Sequence, residues 1–192
     1  MKLGFIVILL SFISLSFALP IAIQKDGPAR IVARQRRFGK MPSSRAVMAA
    51  ASNFANDANT VSASLNSMGT ETDPRKIRSL ATAAFNAESD EDAQRAVLAA
   101  AAGSAGTAPN AKIVKNTPAV LDGLSNIMKS PNTRTTKSNV ATIEAARNPQ
   151  ILPSITSLSN SALKAVGMPA TAQTFPATTA SKAAAAAAAA DN

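Results

Sequence analysis

The clearest pattern in the chain is an apolar stripe over residues 47–68, where hydrophobic residues recur at alternating steps of four and three. This spacing is typical of one face of an amphipathic α-helix. The opposite face is rich in Ser and Asn, so the helix is too polar to span a membrane and is expected to pack its stripe on partner helices. The stripe consists of Val47, Ala51, Phe54, Ala58, Val61, Leu65 and Met68.

Signals for helix starts and ends surround this stripe and recur after it. Ser43 or Ser44 is suited to cap the first helix, and Gly69 follows its last apolar residue. Asp73 directly before Pro74 places a capping carboxylate ahead of a proline at the first helical position. A second helix is therefore predicted from Pro74, with apolar residues at helical spacing from Ile77 onward.

The Ser-Asp-Glu-Asp run at residues 89–92 is typical of a helix N-terminus, because acidic residues favour the positive end of the helix dipole. We expect it to start a third helix that ends at Gly103, a single kinked helix over both segments being the alternative. A calcium site is disfavoured, since the run lacks alternating ligands and a closing glutamate. Further on, Pro118 predicts a break or a kink, with the main helix running from Pro118 to Lys129.

Two more stripes complete the helical region. The first is short and ends at Asn148, which precedes Pro149 and repeats the arrangement of a cap followed by a proline. The second is expected to start there and to end at Gly167. Beyond it, Ala, Thr, Ser and Pro dominate residues 169–182, and eight alanines at 183–190 are too few for a stable isolated helix.

The sequence therefore predicts an all-α protein, a bundle of five to six short amphipathic helices within residues 38–168. A disordered, low-complexity tail is expected at residues 169–192, with hydroxyls that can carry O-linked sugar; a lipid-anchor signal is a weaker interpretation. The residues expected in the core or in an apolar interface are Val47, Phe54, Val61, Leu65, Ile77, Leu121, Leu124, Ile155 and Leu158.

The N-terminus indicates secretion. Residues 1–18 combine Lys2, an apolar run and small residues up to Ala18, as in a signal peptide cleaved after that alanine; an anchor helix is less favoured because the run is short. Residues 19–37 are expected to be a disordered pro-segment whose dibasic pair, Arg36 and Arg37, is typical of a processing site. The alternative is an uncleaved basic arm that binds anionic surfaces.

Cleavage at the dibasic pair changes the charge of the protein. Of 20 basic and 11 acidic residues, six basic and one acidic lie in residues 1–37, which leaves 14 basic and ten acidic residues. Without a basic block or base-stacking aromatics, binding to nucleic acid loses its main support.

Residue types that carry most enzymatic chemistry are missing. The chain has no Cys, His, Trp or Tyr, which removes the commonest general base, thiolate nucleophiles, most zinc ligands and the usual sugar-stacking platforms. A two-carboxylate glycosidase remains as an alternative, although most acids are placed at helix starts or in loops. We expect no enzymatic activity, cofactor or metal, and a core without disulfides.

The order of these helices over residues 43–166, the stretch Val120-Leu121-Asp122-Gly123-Leu124 and the helix over residues 151–163 resemble the fungal hydrophobic surface-binding protein and cell wall mannoprotein family. The resemblance implies cell-wall association and adsorption to apolar solids. We therefore expect a secreted, non-enzymatic protein whose partner is a cell-wall polymer or an apolar surface. The alternative is an effector-like module that binds a protein of a host or neighbouring cell.

Overall fold

A computed structural model describes residues 41–190, which are helical throughout except for short connections and one longer segment without regular secondary structure. The prediction of an all-α protein is confirmed, with no strand in this part of the chain. Ala18, Arg36 and Arg37 lie outside the described residues. The helices are α1 Ser44–Met68, α2 Pro74–Ala102, α3 Thr107–Lys129, α4 Thr133–Ala146, α5 Leu152–Ala165 and α6 Ala180–Ala190, with a 3₁₀ turn at Gly103–Gly106 and a π-helical segment at Arg147–Ile151.

Local capping signals explain where the first two helices begin. The Ser43 hydroxyl accepts the main-chain N–H of Ala46 at 3.3 Å, and the Asp73 carboxylate accepts that of Arg75 at 2.8 Å. Each bond satisfies an N–H group that has no partner within its helix. Gly69 follows α1, and its N–H donates to carbonyl groups of the last turn.

The predicted start of a third helix at residues 89–92 is wrong, and the alternative of one helix over both segments is confirmed. α2 runs without a break through these residues, and the Ser89 hydroxyl donates to the Phe85 carbonyl instead of capping a new helix. Pro118 lies inside the continuous helix α3, so a break there is wrong, whereas a kink stays a prediction. A proline inside a helix costs about 3 kcal/mol, a local penalty that packing along a whole helix can outweigh, and α3 packs on α2, α4 and α5.

The predicted cap at Asn148 is also wrong. The chain passes from α4 into α5 through the π-helical segment Arg147–Ile151 without leaving helical geometry. Pro149 lacks an N–H donor, and it lies where the helical backbone widens. The Asn148 side chain is therefore free of a capping role and binds a distant part of the chain.

The core lies between α1, α2, α3 and α5, with α4 closing one side. Eight of the nine apolar residues named from the sequence have side chains that are at most 1% exposed. The exception is Leu121, which is only partly buried and faces a surface groove beside Pro118. The eight buried residues are Val47, Phe54, Val61, Leu65, Ile77, Leu124, Ile155 and Leu158.

The prediction of a disordered C-terminal tail is wrong for residues 169–190. Residues 168–179, here termed the strap, form neither helix nor strand and run back across the bundle, and α6 then packs on α4 and α1. The strap is attached largely by polar side chains, so it carries no apolar period that sequence analysis could detect. Within residues 41–190, no helix has the length and apolar character needed to cross a membrane.

Candidate functional site

Three ionisable side chains lie in the interior of the bundle. Glu88 and Glu91 project from one face of α2, and Arg147 projects from the first residue of the π-helical segment. Their exposed fractions are 1%, 3% and 0%. Charged side chains are almost never buried to this degree unless they are paired, so this group, here termed the buried charge cluster, is the most unusual feature of the core.

Arg147 connects three segments of the fold. Its Nη1 donates to the Ser62 hydroxyl and its Nη2 donates to the Ala58 carbonyl, both at 2.7 Å, so the guanidinium is anchored to α1. Its Nε lies 3.9 Å from Oε2 of Glu88, which is within reach of an ion pair but too far for a hydrogen bond. Arg147 therefore makes two short hydrogen bonds to α1 but only a long ion pair to the Glu88 carboxylate.

Few interactions offset the cost of burying the carboxyl groups of Glu88 and Glu91. All four carboxylate oxygens of Glu88 and Glu91 are buried without a hydrogen-bond partner among the described residues. Burial raises the pKa of Glu88 to about 7, although Arg147 opposes the rise. Burial and the neighbouring charge of Glu88 raise the pKa of Glu91 well above its ordinary value. Burial also lowers the pKa of Arg147, which the glutamates counteract.

The sequence analysis missed this cluster because it assigned residues 89–92 to a helix start. A signal was nevertheless present, since Glu88 and Glu91 continue the steps of four and three that begin at Ile77 and reach Leu98. Arg147 likewise follows Ile143 by four residues on the buried side of α4. Charged residues that fall on an apolar stripe are thus a sequence signal from which a buried ionic group could have been predicted.

The first half of the strap is bound to α5 and α1. The Thr156 hydroxyl donates to the Gln173 carbonyl at 2.6 Å, and the Asn160 side-chain oxygen accepts the Ala172 N–H at 2.9 Å. The side-chain amides of Asn59 and Gln173 also bind each other, at 2.9 and 3.3 Å. Most of these groups are solvent-accessible, so water can replace each bond when the strap leaves.

The second half of the strap is bound at the π-helical segment and at the end of α1. The Asn148 side-chain oxygen accepts hydrogen bonds from the N–H and the hydroxyl of Thr178, and the Asn148 side-chain amide donates to the Thr178 carbonyl, each at 3.0 Å. Asn66 accepts the Thr179 N–H at 3.0 Å. Since Asn148 follows Arg147, the same short segment holds both the buried charge cluster and the strap.

α6 is docked through a carboxylate at its N-terminus. Glu144 of α4 accepts the Ala180 N–H at 2.7 Å and the Ser181 N–H at 3.1 Å, and it also accepts the Ser181 hydroxyl. These bonds place a negative charge at the positive end of α6. Gly69 allows the close approach, because a Cβ there would lie 2.7 Å from the Ala180 carbonyl oxygen.

A groove of about 440 Å³ opens between α1, α5 and the start of the strap. Its walls contain methionine and alanine side chains together with neutral polar groups, and no charged residue lines it. The lining thus suits a neutral, largely apolar ligand. The residues on the wall are Met48, Ala51, Ser52, Ala55, Asn56, Leu163, Met168, Pro169, Thr171, Ala172 and Gln173.

A second, polar groove of about 290 Å³ lies between α1 and α2 beside Asp57 and Asp90. Burial and the charge of Asp90 raise the pKa of Asp57. Across residues 41–190, no three Asp or Glu side chains come together in a geometry that could hold a metal ion. Comparisons with protein-family models, curated proteins and solved structures gave no match, so the functional argument rests on the contacts above.

Proposed function

We propose that the protein is a secreted, non-enzymatic helical protein that associates with cell walls or other surfaces and adsorbs to apolar ones by releasing the strap and α6. The observation that carries the proposal is the way these segments are held. They cover the apolar bundle, but polar side chains of α1, α4, α5 and the π-helical segment make most of the specific contacts.

The closed bundle has little apolar surface with which to adsorb. In the described part of the chain, the only large apolar side chains that are strongly exposed are Met41, Met48 and Val114. The amphipathic stripes face the core instead, where burial contributes roughly 25 cal/mol for each Å² of apolar surface. Adsorption therefore requires an opening that exchanges contacts within the core for contacts with the apolar surface.

The strap and α6 are the segments that open at the lowest cost. A net contribution of only about 0.5–1.5 kcal/mol is typical for a hydrogen bond, because water replaces the lost partner. The strap adds only partly buried apolar groups, Met168, Ala172 and Phe175, to the core cluster. Segments with few buried apolar contacts and accessible hydrogen bonds are the ones that unfold locally.

The residue types of the chain favour binding over catalysis. The absence of His, Cys, Trp and Tyr removes most common catalytic and zinc-binding groups. The buried glutamates are at most 3% exposed, so their carboxyl groups are closed to a substrate in solution.

Secretion rests on the N-terminal signal and the dibasic pair. N-terminal sequencing of protein from the culture medium should give Phe38 as the first residue.

A cross-linked strap tests the proposal. Asn59→Cys and Gln173→Cys replace two amides that touch, in a chain with no other thiol, so a short bifunctional reagent can join α1 to the strap. The cross-linked protein should adsorb to hydrophobic beads much more slowly than the same double variant left uncross-linked. Equal adsorption of the two forms would show that the strap does not need to open.

The alternative function is that of an effector-like module that binds a host or neighbouring protein, and the groove beside Met48 favours it. Met48 and Val114 are both 48% exposed, but only Met48 lines this groove. Met48→Glu should therefore abolish capture of a partner from host or wall extracts, whereas the matched variant Val114→Glu should retain it. Capture that survives Met48→Glu would exclude the groove as the partner site.

A further inference from the structure

We propose that the buried charge cluster is a proton-operated switch, in which the folded domain retains one proton between Glu88 and Glu91 and weakens its packing when that proton is lost. The inference concerns the stability of the bundle and does not depend on adsorption. It rests on the placement of two carboxyl groups and one guanidinium group in a core that excludes water.

The charge count is the first step. If both carboxyl groups were ionised, the cluster would bury two negative charges and one positive charge. An uncompensated charge in a protein interior costs several kcal/mol, so the folded state favours a neutral cluster with one carboxyl group protonated. Two carboxyl groups that share a site behave in this way, because the first ionisation suppresses the second.

The hydrogen bonds of the cluster support the same conclusion. Arg147 directs both terminal nitrogens to α1, which leaves only Nε, at 3.9 Å, for Glu88. No hydrogen-bond donor within the described chain reaches either carboxylate. Burial of a carboxyl group without hydrogen-bond donors favours its protonated, neutral form.

The surrounding charges add to the retention of the proton. Asp57 of α1 and Asp92 of α2 both act on Glu91, and Asp92 also acts on Glu88, in each case disfavouring ionisation. Asp92 is partly compensated by Arg95, which binds it at 2.9 Å. Glu144 of α4 is engaged by α6. The charged groups of α3 and α5 are exposed, namely Lys112, Lys115, Asp122, Lys129 and Lys164.

The direction of the pH dependence follows from the raised pKa of each glutamate. In the unfolded chain both groups ionise near the ordinary pKa of 4.5, whereas in the folded domain the pKa of Glu88 is about 7. The stability associated with the retained proton is therefore complete below pH 4.5 and is lost as pH rises through about 7. The domain should thus be more stable in mildly acidic solution than at pH 8.

Urea denaturation of the full domain between pH 4.5 and pH 8.5 tests the switch. Retention of one proton predicts that the unfolding equilibrium constant rises by about tenfold for each pH unit between the unfolded pKa of 4.5 and the folded pKa of about 7. Glu91→Gln and Glu88→Gln each leave one carboxylate opposite Arg147, so each should flatten this dependence and increase stability at pH 8. Asp122→Asn, the matched loss of an exposed carboxylate on α3, should leave the dependence as in the wild type.

A second measurement on the wild type needs no variant to fold. Unfolding in unbuffered denaturant at pH 6 should release at least one proton, since the folded cluster retains one and the unfolded glutamates are ionised at that pH. An unfolding constant that is unchanged or falls between pH 5 and pH 8 would overturn the proposal. So would proton uptake on unfolding, or Gln variants that fold but retain the wild-type slope.

Discussion

Phe54 occupies the centre of the α1 stripe, and its side chain has no exposed surface. Replacing it by alanine removes a large apolar group and leaves a cavity, a change that costs about 3–5 kcal/mol in well-packed cores. A domain of this size has about 5–15 kcal/mol of stability in total. We therefore expect Phe54→Ala to lower the thermal midpoint strongly in circular dichroism melts, and a midpoint within error of the wild type would exclude Phe54 from the core.

Arg147 is the only cation in the buried charge cluster. Without it, no positive charge in the cluster offsets the charge of the two buried carboxyl groups. Removing one partner of a buried ion pair costs about 3–5 kcal/mol, and Arg147→Met should approach this loss at pH 8. Near pH 4.5, where both carboxyl groups of the variant can hold a proton so that its cluster carries no charge, the loss should be much smaller. Chemical denaturation at the two pH values measures this difference, and an equal loss at both would contradict a charge-compensating role.

At the level of single residues, the sequence predicted the apolar core better than the polar groups inside it. The steps of four and three identified Val47, Phe54 and Ile77 correctly, because burial and helical period are tied by geometry. Glu88 and Glu91 lie on the same kind of stripe, but a carboxylate near a serine also fits a helix cap. Only the three-dimensional position of Arg147 distinguishes these two interpretations.

Among the elements, α6 depends on a close contact with the turn after α1. Gly69→Ala would place a Cβ 2.7 Å from the Ala180 carbonyl oxygen, so α6 must shift while the main core remains intact. We expect faster hydrogen exchange in α6 and the end of the strap, with α2 and α3 unchanged. Ser67→Ala, at an exposed position near the end of α1, provides the control, and unchanged exchange in Gly69→Ala would show that this contact does not hold α6.

Helix boundaries were predictable only where local and tertiary forces agree. Ser43 and Asp73 cap their helices, as the local signals predict. At Pro118 and Asn148 the local signals indicate a break, but packing of α3 and the π-helical segment maintains a helix. Local propensities amount to a few kcal/mol at most, and tertiary contacts routinely exceed them.

On the scale of the whole molecule, the helical architecture followed from repeated stripes, whereas the strap did not. Its attachment depends on single polar side chains from three different segments, among them Asn66, Asn148 and Thr156. Such contacts join residues that are distant along the chain and leave no period within it. Because no period marks the strap, only the composition of residues 169–182 could be read from the sequence, and it suggested a disordered tail.

The most direct test of the proposed function is hydrogen exchange measured on the adsorbed protein. The protein is bound to hydrophobic beads, exchanged in deuterated buffer, then released and digested for mass spectrometry, in parallel with protein in solution. Adsorption by opening predicts that the strap and α6 lose protection on the beads, while α2 and α3 keep theirs as helices. A protection pattern identical to that in solution would contradict it, because the closed bundle would then adsorb as it stands.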